Sequence, residues 1–201
     1  MTGPDTATGR SLAKASRRSS LLAEAARLFA QHGYNGVSIE DLGAASGISG
    51  PAVYRHFAGK AAVLGALLVG VSRDLLEGGR AVAADGGTPG TVLARLVDFH
   101  ADFALSHPDV IRIQDRDMDS LSPGDAAEVR RLQRAYIDVW ADQLRGLHPG
   151  EDRAAARFRA QAVFGLLNST PHSTHRADAD PAARRERLVR MAVAALSAPV
   201  G

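Results

Sequence analysis

Residues 37–57 read VSIEDLGAASGISGPAVYRHF, and this stretch decides how the remainder of the chain is read. Ser38, followed three residues later by Asp41, resembles a capping box, in which hydroxyl and carboxylate satisfy the first free amides of a helix. Gly47 ends that short helix. Ser49 stands where a third helix would be capped, and Pro51 is tolerated in its first turn because that turn has no internal amide bonds to lose. Two short helices separated by three or four residues that include a glycine make a helix-turn-helix. Gly43 falls where the two helices cross, and a bulky side chain there would push them apart. Ile48, Val53 and Phe57 point back toward Leu42 and Leu28. Gly50, Ala52, Tyr54, Arg55 and His56 are left facing outward.

Upstream, Leu21, Leu22, Ala25, Leu28 and Phe29 form one apolar stripe at helical spacing, and Gly33 is a plausible left-handed terminator. Residues 1–15 have no apolar period and read as a flexible N-terminal arm. Downstream, Gly59-Lys60 starts a long helix running to about Glu77, and Gly78, Gly79 and the segment Asp85 to Pro89 with its two glycines are expected to break the chain. Leu93, Leu96, Val97, His100 and Phe103 share a face of the next helix, which ends at His107-Pro108. A shorter segment reaches about Asp117. Val129, Leu132, Tyr136, Val139, Trp140 and Leu144 define a long helix. Phe158, Ala162, Leu166 and Leu167 define another, and Leu188, Met191, Ala192 and Ala195 the last. No segment keeps a period of two. The fold class is therefore all-α with about nine helices: an arm at 1–15, a helix-turn-helix domain at 16–62, and a helical domain at 63–201.

The 201 residues are 45% hydrophobic and 23% charged, ordinary values for a globular protein with a real core. The most apolar run, Ala61 to Val71, is about half of the ~20 residues a membrane span needs, so no membrane partner is expected. The polar N-terminal stretch lacks the apolar core of a secretory signal, and a cytoplasmic location is expected. The chain has no cysteine, which removes disulfides, thiolate zinc sites and thiol nucleophiles. Net charge is only +2, but its distribution is uneven. Seven basic residues lie between Arg10 and Lys60 against three acids, so the positive charge sits at one end.

That end carries the informative chemistry. Tyr54 and His56 can donate to phosphate oxygens, Lys60 adds charge at the next helix start, and Ser38 lies near an exposed helix N-terminus. Arg55 is the candidate for a bidentate guanine contact. Ser49, Gly50 and Ala52 complete the DNA-binding set with little hydrogen-bonding capacity, so thymine methyl contacts and shape readout would supply the remainder. Taken alone, such a face is as compatible with solvent as with a duplex.

The run Val37 to Phe57 with Gly59-Lys60, preceded by Ala25-Ala-Arg-Leu-Phe29 and Gly33-Tyr34, resembles the DNA-binding domain of the TetR family over about 45 residues, Arg18 to Leu64. The resemblance implies phosphate contacts from Tyr54, Lys60, Ser38 and His56. It implies a homodimer on an inverted-repeat, double-stranded DNA operator, repressing until a small-molecule effector binds the C-terminal domain. The family's frequent glutamate after the lysine is Ala61 here, which alters local capping.

In the second half, Phe99, Phe103, Met118, Leu132, Tyr136, Trp140 and Phe164, with His100, Arg112 and Asn168 as polar anchors, are the candidate ligand-binding residues. For any single one of them, filling the core is the more ordinary role. The segments His107 to Arg116 and Phe164 to His172 resemble a branch of the family responsive to acyl-CoA thioesters, with Arg112, Arg116, Arg130 and Arg131 available to phosphates. By family analogy, Phe164, Leu167, Leu188, Met191 and Leu196 would form the dimer seam.

Enzyme signatures fail. His172-x-x-His175 lacks a carboxylate companion, and Asp115-x-Asp117-x-Asp119 has Ser120 where a calcium loop needs glycine and Ala126 where it needs glutamate. Asn168-Ser-Thr170 matches a sequon with no secretory signal before it. Gly86-Gly-Thr-Pro-Gly90 lacks the lysine and strand of a phosphate loop. No cofactor and no metal is expected. An all-helical enzyme, or an interaction module with a coincidental helix-turn-helix, is the alternative.

Overall fold

The computed structural model describes residues 5–173 and 180–199, and among these the chain is helical without strands. The helices are α1 (Asp5–His32), α2 (Ile39–Ala45), α3 (Gly50–Val53), α4 (Lys60–Ala84), α5 (Pro89–Ser106), α6 (Pro108–Asp117), α7 (Pro123–Leu147), α8 (Arg153–Asn168), α9 (Thr170–Ser173) and α10 (Pro181–Ser197), with a 3₁₀ turn at Met118–Ser120. Since α9 is a single four-residue turn, the expected count of about nine holds. The chain divides into two compact units. One comprises Met1–Leu68 with Arg112–Ala126, and the other Val69–Ile111 with Ala127–Gly201.

In the N-terminal unit, Leu21, Ala25 and Phe29 of α1 are fully buried, and Gly33, at φ +76°, ends the helix as expected. α1 begins at Asp5, not at Ser16, so the backbone of residues 5–15 is helical where an arm was expected. Ala7, Leu12, Ala13, Lys14 and Ala15 are all good helix formers, which outweigh the lack of an apolar period.

The C-terminal unit is built from α5, α7, α8 and α10, with α10 packed on both α5 and α8. Leu96, Trp140, Leu144, Leu167 and Leu196 lie at its centre. Thr88, Asp152 and Asp180 cap α5, α8 and α10 through their side chains.

Two expectations are corrected in this unit. The first concerns α4, which runs through Gly78 and Gly79 to Ala84. A Cβ on Gly78 would overlap Phe99 Cζ, and one on Gly79 would overlap Tyr136 Cε2. The glycines are grooves for aromatic rings, at roughly 1 kcal/mol of helix propensity each. The break comes later, where Gly86 and Gly87 take φ +75° and +116°.

The second concerns α8. Its buried face is Ala156, Ala160, Val163 and Leu167, while Phe158 is 73% exposed and Ala162 faces solvent. The expected stripe through Phe158 and Ala162 lies about 200° around the helix from Ala156 and Ala160. Ala156 and Ala160 let the first half of α8 approach its neighbours closely, and Val163 and Leu167 continue the same buried face. Leu167, Leu188 and Leu196 are accordingly core residues of one chain, unavailable for the seam, whereas Met191 is 51% exposed.

Candidate nucleic-acid interface and effector cavity

The helix-turn-helix is fixed by short-range geometry. Ser38 Oγ accepts the Asp41 amide at 3.0 Å, and Asp41 Oδ2 accepts the Ser38 amide at 2.9 Å and its hydroxyl at 2.6 Å. This is the expected capping box. The Ser38 hydroxyl, then its amide, hold the Asp41 carboxyl below its ordinary pKa. A Cβ on Gly43 would sit 2.9 Å from both Gly50 N and Ile48 O, so α2 and α3 cross backbone to backbone. Gly47, at φ +67°, makes the turn. Ser49 occupies the N-cap position of α3, but its hydroxyl makes no capping bond and is exposed.

Beyond this frame, Tyr54 is 59% exposed and Arg55 is exposed. Val53 and Phe57 are buried, while Gly50 and Ala52 are half-buried. His56 Nδ1 is buried without a partner among the described residues, so an outside group can meet only Nε2. Ser49 thus precedes α3, Ala52 lies within it and Tyr54, Arg55 and His56 form the turn after it, whereas Ser38 caps α2.

Lys60 has a second use. Its Nζ donates to Tyr34 O and Val37 O, each at 2.8 Å, and lies 4.3 Å from the Tyr34 ring centroid. The ammonium ties the α1–α2 loop to the start of α4 and keeps one of its three donors uncommitted. Two arginines have structural roles that the sequence reading did not give them. Arg18 Nη1 donates to His56 O at 2.7 Å, and its guanidinium lies 4.0 Å above the Phe57 ring, holding the end of α3 to α1. Arg116 donates to Phe29 O and to Ala30 O, capping the C-terminus of α1, and pairs with the buried Asp117 at 3.0 Å. Neither shows in a hydrophobic period, because both join residues distant in sequence. Arg116 was expected to be free for phosphate and is committed elsewhere; Arg131 likewise pairs with Glu128 at 2.7 Å.

In the C-terminal unit, His100 is buried inside an aromatic box. Its ring stacks on Phe164 with centroids 4.7 Å apart and on Tyr136 at 5.8 Å, with Trp140 edge-on at 6.1 Å. Nδ1 lies 3.2 Å from Tyr136 Oη and Nε2 lies 3.1 Å from Asn168 Oδ1. The neutral ring satisfies both, accepting the phenol proton at Nδ1 and donating from Nε2 to the amide oxygen. Burial pushes His100 down to about 4, against the opposing hydrogen bond to Asn168, and burial raises the Tyr136 phenol. The Trp140 indole N–H has no partner among the described residues. Leu132 belongs to the same core. Arg112 and Met118 fall in the N-terminal unit instead.

Phe99 and Phe103, with Val71 and Leu75, line an adjoining cavity of about 310 Å³. Asp74, Asp102, Ser106 and His107 complete its wall. Asp102 accepts Arg185 Nε at 2.6 Å, and Arg185 Nη2 donates to Asp98 at 3.0 Å. Phe103 also stacks on His107 at 5.1 Å and meets His100 edge-on at 5.9 Å. One ring therefore separates the cavity from the buried polar chain.

A helix-turn-helix with exposed polar side chains, and a helical unit with an apolar chamber, are the parts of a DNA-binding regulator. Residues 21–67 match the family of bacterial regulatory proteins called tetR, and residues 86–172 match the tetracyclin repressor-like C-terminal domain. The chain belongs to the TetR family, a family of transcriptional regulators and not of enzymes. It is 27% identical over 159 residues to the HTH-type transcriptional repressor KstR2 of Rhodococcus jostii (strain RHA1), covering 78% of this chain and 77% of that protein. A TetR-family transcriptional regulator from Bordetella parapertussis 12822 superposes with a TM-score of 0.77 at 27% identity, covering 87% of this chain and 93% of that one. The fold is shared with AibR, solved in complex with isovaleryl coenzyme A and operator DNA, at a TM-score of 0.74 and 19% identity over 92% and 100% of the two chains. Among the described residues no helix is long and apolar enough to cross a membrane, and no cluster of three metal-ligating side chains occurs.

Proposed function

We propose that this chain is a cytoplasmic repressor that binds an inverted-repeat operator as a homodimer and releases it when a small hydrophobic or acyl-CoA-like effector occupies the C-terminal unit. The observation that carries the reading is the exposed Tyr54-Arg55 pair in the turn that directly follows α3, a helix whose crossing with α2 is set by Gly43. Arg55 would read a guanine edge, while Tyr54, His56 and the last donor of Lys60 would hold phosphates, and Ser38 would join them on turning its hydroxyl from Asp41. Ser49, Gly50 and Ala52 would lie against the groove floor.

The outer face of α8 and α10 supports the dimer. The exposed Phe158 and Ala162 and the half-buried Leu166 line a groove of about 410 Å³ with Ala195 and Pro199, and Met191 is exposed elsewhere on α10. A Cβ on Gly165 would meet nothing within 4 Å, so no contact inside one chain requires a glycine there. A second copy approaching that face would use it. The effector must bind the released state more tightly than the operator-bound one, or it shifts nothing.

The deciding experiment is selection of bound sequences from random duplex DNA by the purified protein. Recovery of an inverted repeat with half-sites about one helical turn, ~34–36 Å, apart is the expected outcome. Failure to enrich any sequence at low salt would sink the regulator reading.

A further inference from the structure

The cavity beside the aromatic box has two carboxylates in its wall. Its floor is apolar, from Val71, Leu75, Phe99 and Phe103, and Asp74 and Asp102 stand in the wall with Ser106 and His107. No lysine or arginine lines it. The guanidinium behind Asp102, that of Arg185, is shared with Asp98, so three carboxylates stand against one cation. Asp74 is exposed and makes no side-chain ion pair among the described residues. Of the two effector classes in the functional reading, this wall repels the phosphates of a coenzyme A thioester and attracts a cation. The volume of about 310 Å³ also lies at the lower end of ligand pockets, enough for an apolar body and too small to enclose a nucleotide as well.

We infer that the cavity takes a small cationic amphiphile, an amine or quaternary ammonium on an apolar body, with Asp74 and Asp102 facing its charge and Phe99 and Phe103 covering its hydrophobic part. The inference rests on the effector reading above and narrows it. Ring faces suit a cation as well as an alkyl chain, because the aromatic quadrupole is negative there. Phe103 links the occupant to the interior, since its ring also meets His100 and, through it, Trp140.

The test titrates the full chain with decylamine, decanol, decanoate and decanoyl-coenzyme A by calorimetry, with emission of Trp140, the single tryptophan, as a second readout. Decylamine should bind most tightly, decanol next, and the two anions most weakly. Asp74→Asn should remove about three- to five-fold of the amine's affinity and leave decanol unchanged, the scale of one partly exposed ion pair. Asp74→Lys should reverse the order of decylamine and decanoate. Asp74 is on the surface, so both variants should fold. Tighter binding of decanoyl-coenzyme A than of decylamine would overturn the cation assignment and leave the effector reading standing. An amine preference that survives Asp74→Lys would overturn the role of this wall, and absence of binding by all four probes would overturn the cavity as the site. Loss of the regulator reading is detected separately, by failure of the duplex selection, whatever the probes do.

Discussion

The two units put their polar groups to opposite use. In the N-terminal unit the polar side chains just beyond α3 face out, with Tyr54 and Arg55 exposed in the turn that follows a crossing set by Gly43, Gly47 and the Ser38–Asp41 box. In the C-terminal unit the polar chain His100–Tyr136–Asn168 faces in, shielded by Phe103, Trp140 and Phe164. The first arrangement presents a fixed surface that changes little when a partner arrives. The second holds its polar groups, already hydrogen-bonded to one another, behind a wall of packed rings. A sensor and a reader need these different kinds of rigidity.

The comparison breaks first at Gly43. Gly43→Val should abolish operator binding in an anisotropy titration, because its Cβ would be driven into the α3 backbone at a cost of about 1–3 kcal/mol or more. Near-normal affinity would mean that the crossing is not rigid. Next comes the interior. His100 has its folded pKa depressed to about 4 from 6.5, so the proton binds the unfolded chain first as pH falls. The stability from the neutral ring is fully present above about pH 6.5 and is lost as pH falls through 6.5 toward 4. Denaturant titrations should show about 1–2 kcal/mol less stability at pH 5 than at pH 7 from this group, and His100→Gln should flatten that slope. An unchanged slope in the variant would refute the assignment.

Arg55→Ala sharpens the reader. It should relax preference at one base of each half-site, worth about 1–3 kcal/mol, and uniform weakening across all sequences would argue against base reading. Tyr136→Phe removes the donor to His100 Nδ1 and should cost about 1 kcal/mol in thermal unfolding with operator affinity unaltered. The smallest effect is expected from Tyr54→Phe, a few-fold loss of operator affinity at every sequence. Wild-type affinity in that variant would remove Tyr54 from the phosphate set.

How legible each region was follows from the range of its interactions. The turn, both its glycines and the capping box were readable because they join residues within about a dozen positions of one another. Gly78 and Gly79 were misread as a break because a glycine pair in isolation signals flexibility, and only Phe99 and Tyr136, brought in by other helices, explain them. The α8 face was misassigned for the same reason. An alanine-rich helix has two apolar sides, and the partner decides which one is buried. Arg18 and Arg116 gave no local signal at all. His100, by contrast, was chosen as a lone polar residue on an apolar stripe, and the structure finds it at the centre of the box.

Arg116 caps α1 from a position more than eighty residues further along the chain, and Asp125, set at the start of α7 by Ser122, lies so close to α4 that a methyl group on Gly65 would overlap it. The reading head is therefore not a portable cassette. A chimaera made by one cut after Leu68 would transplant the recognition helix but leave behind the residues that finish its framework. Exchanging heads between regulators of this kind takes two grafts, and specificity engineered by substituting α3 in place avoids the problem that excision creates.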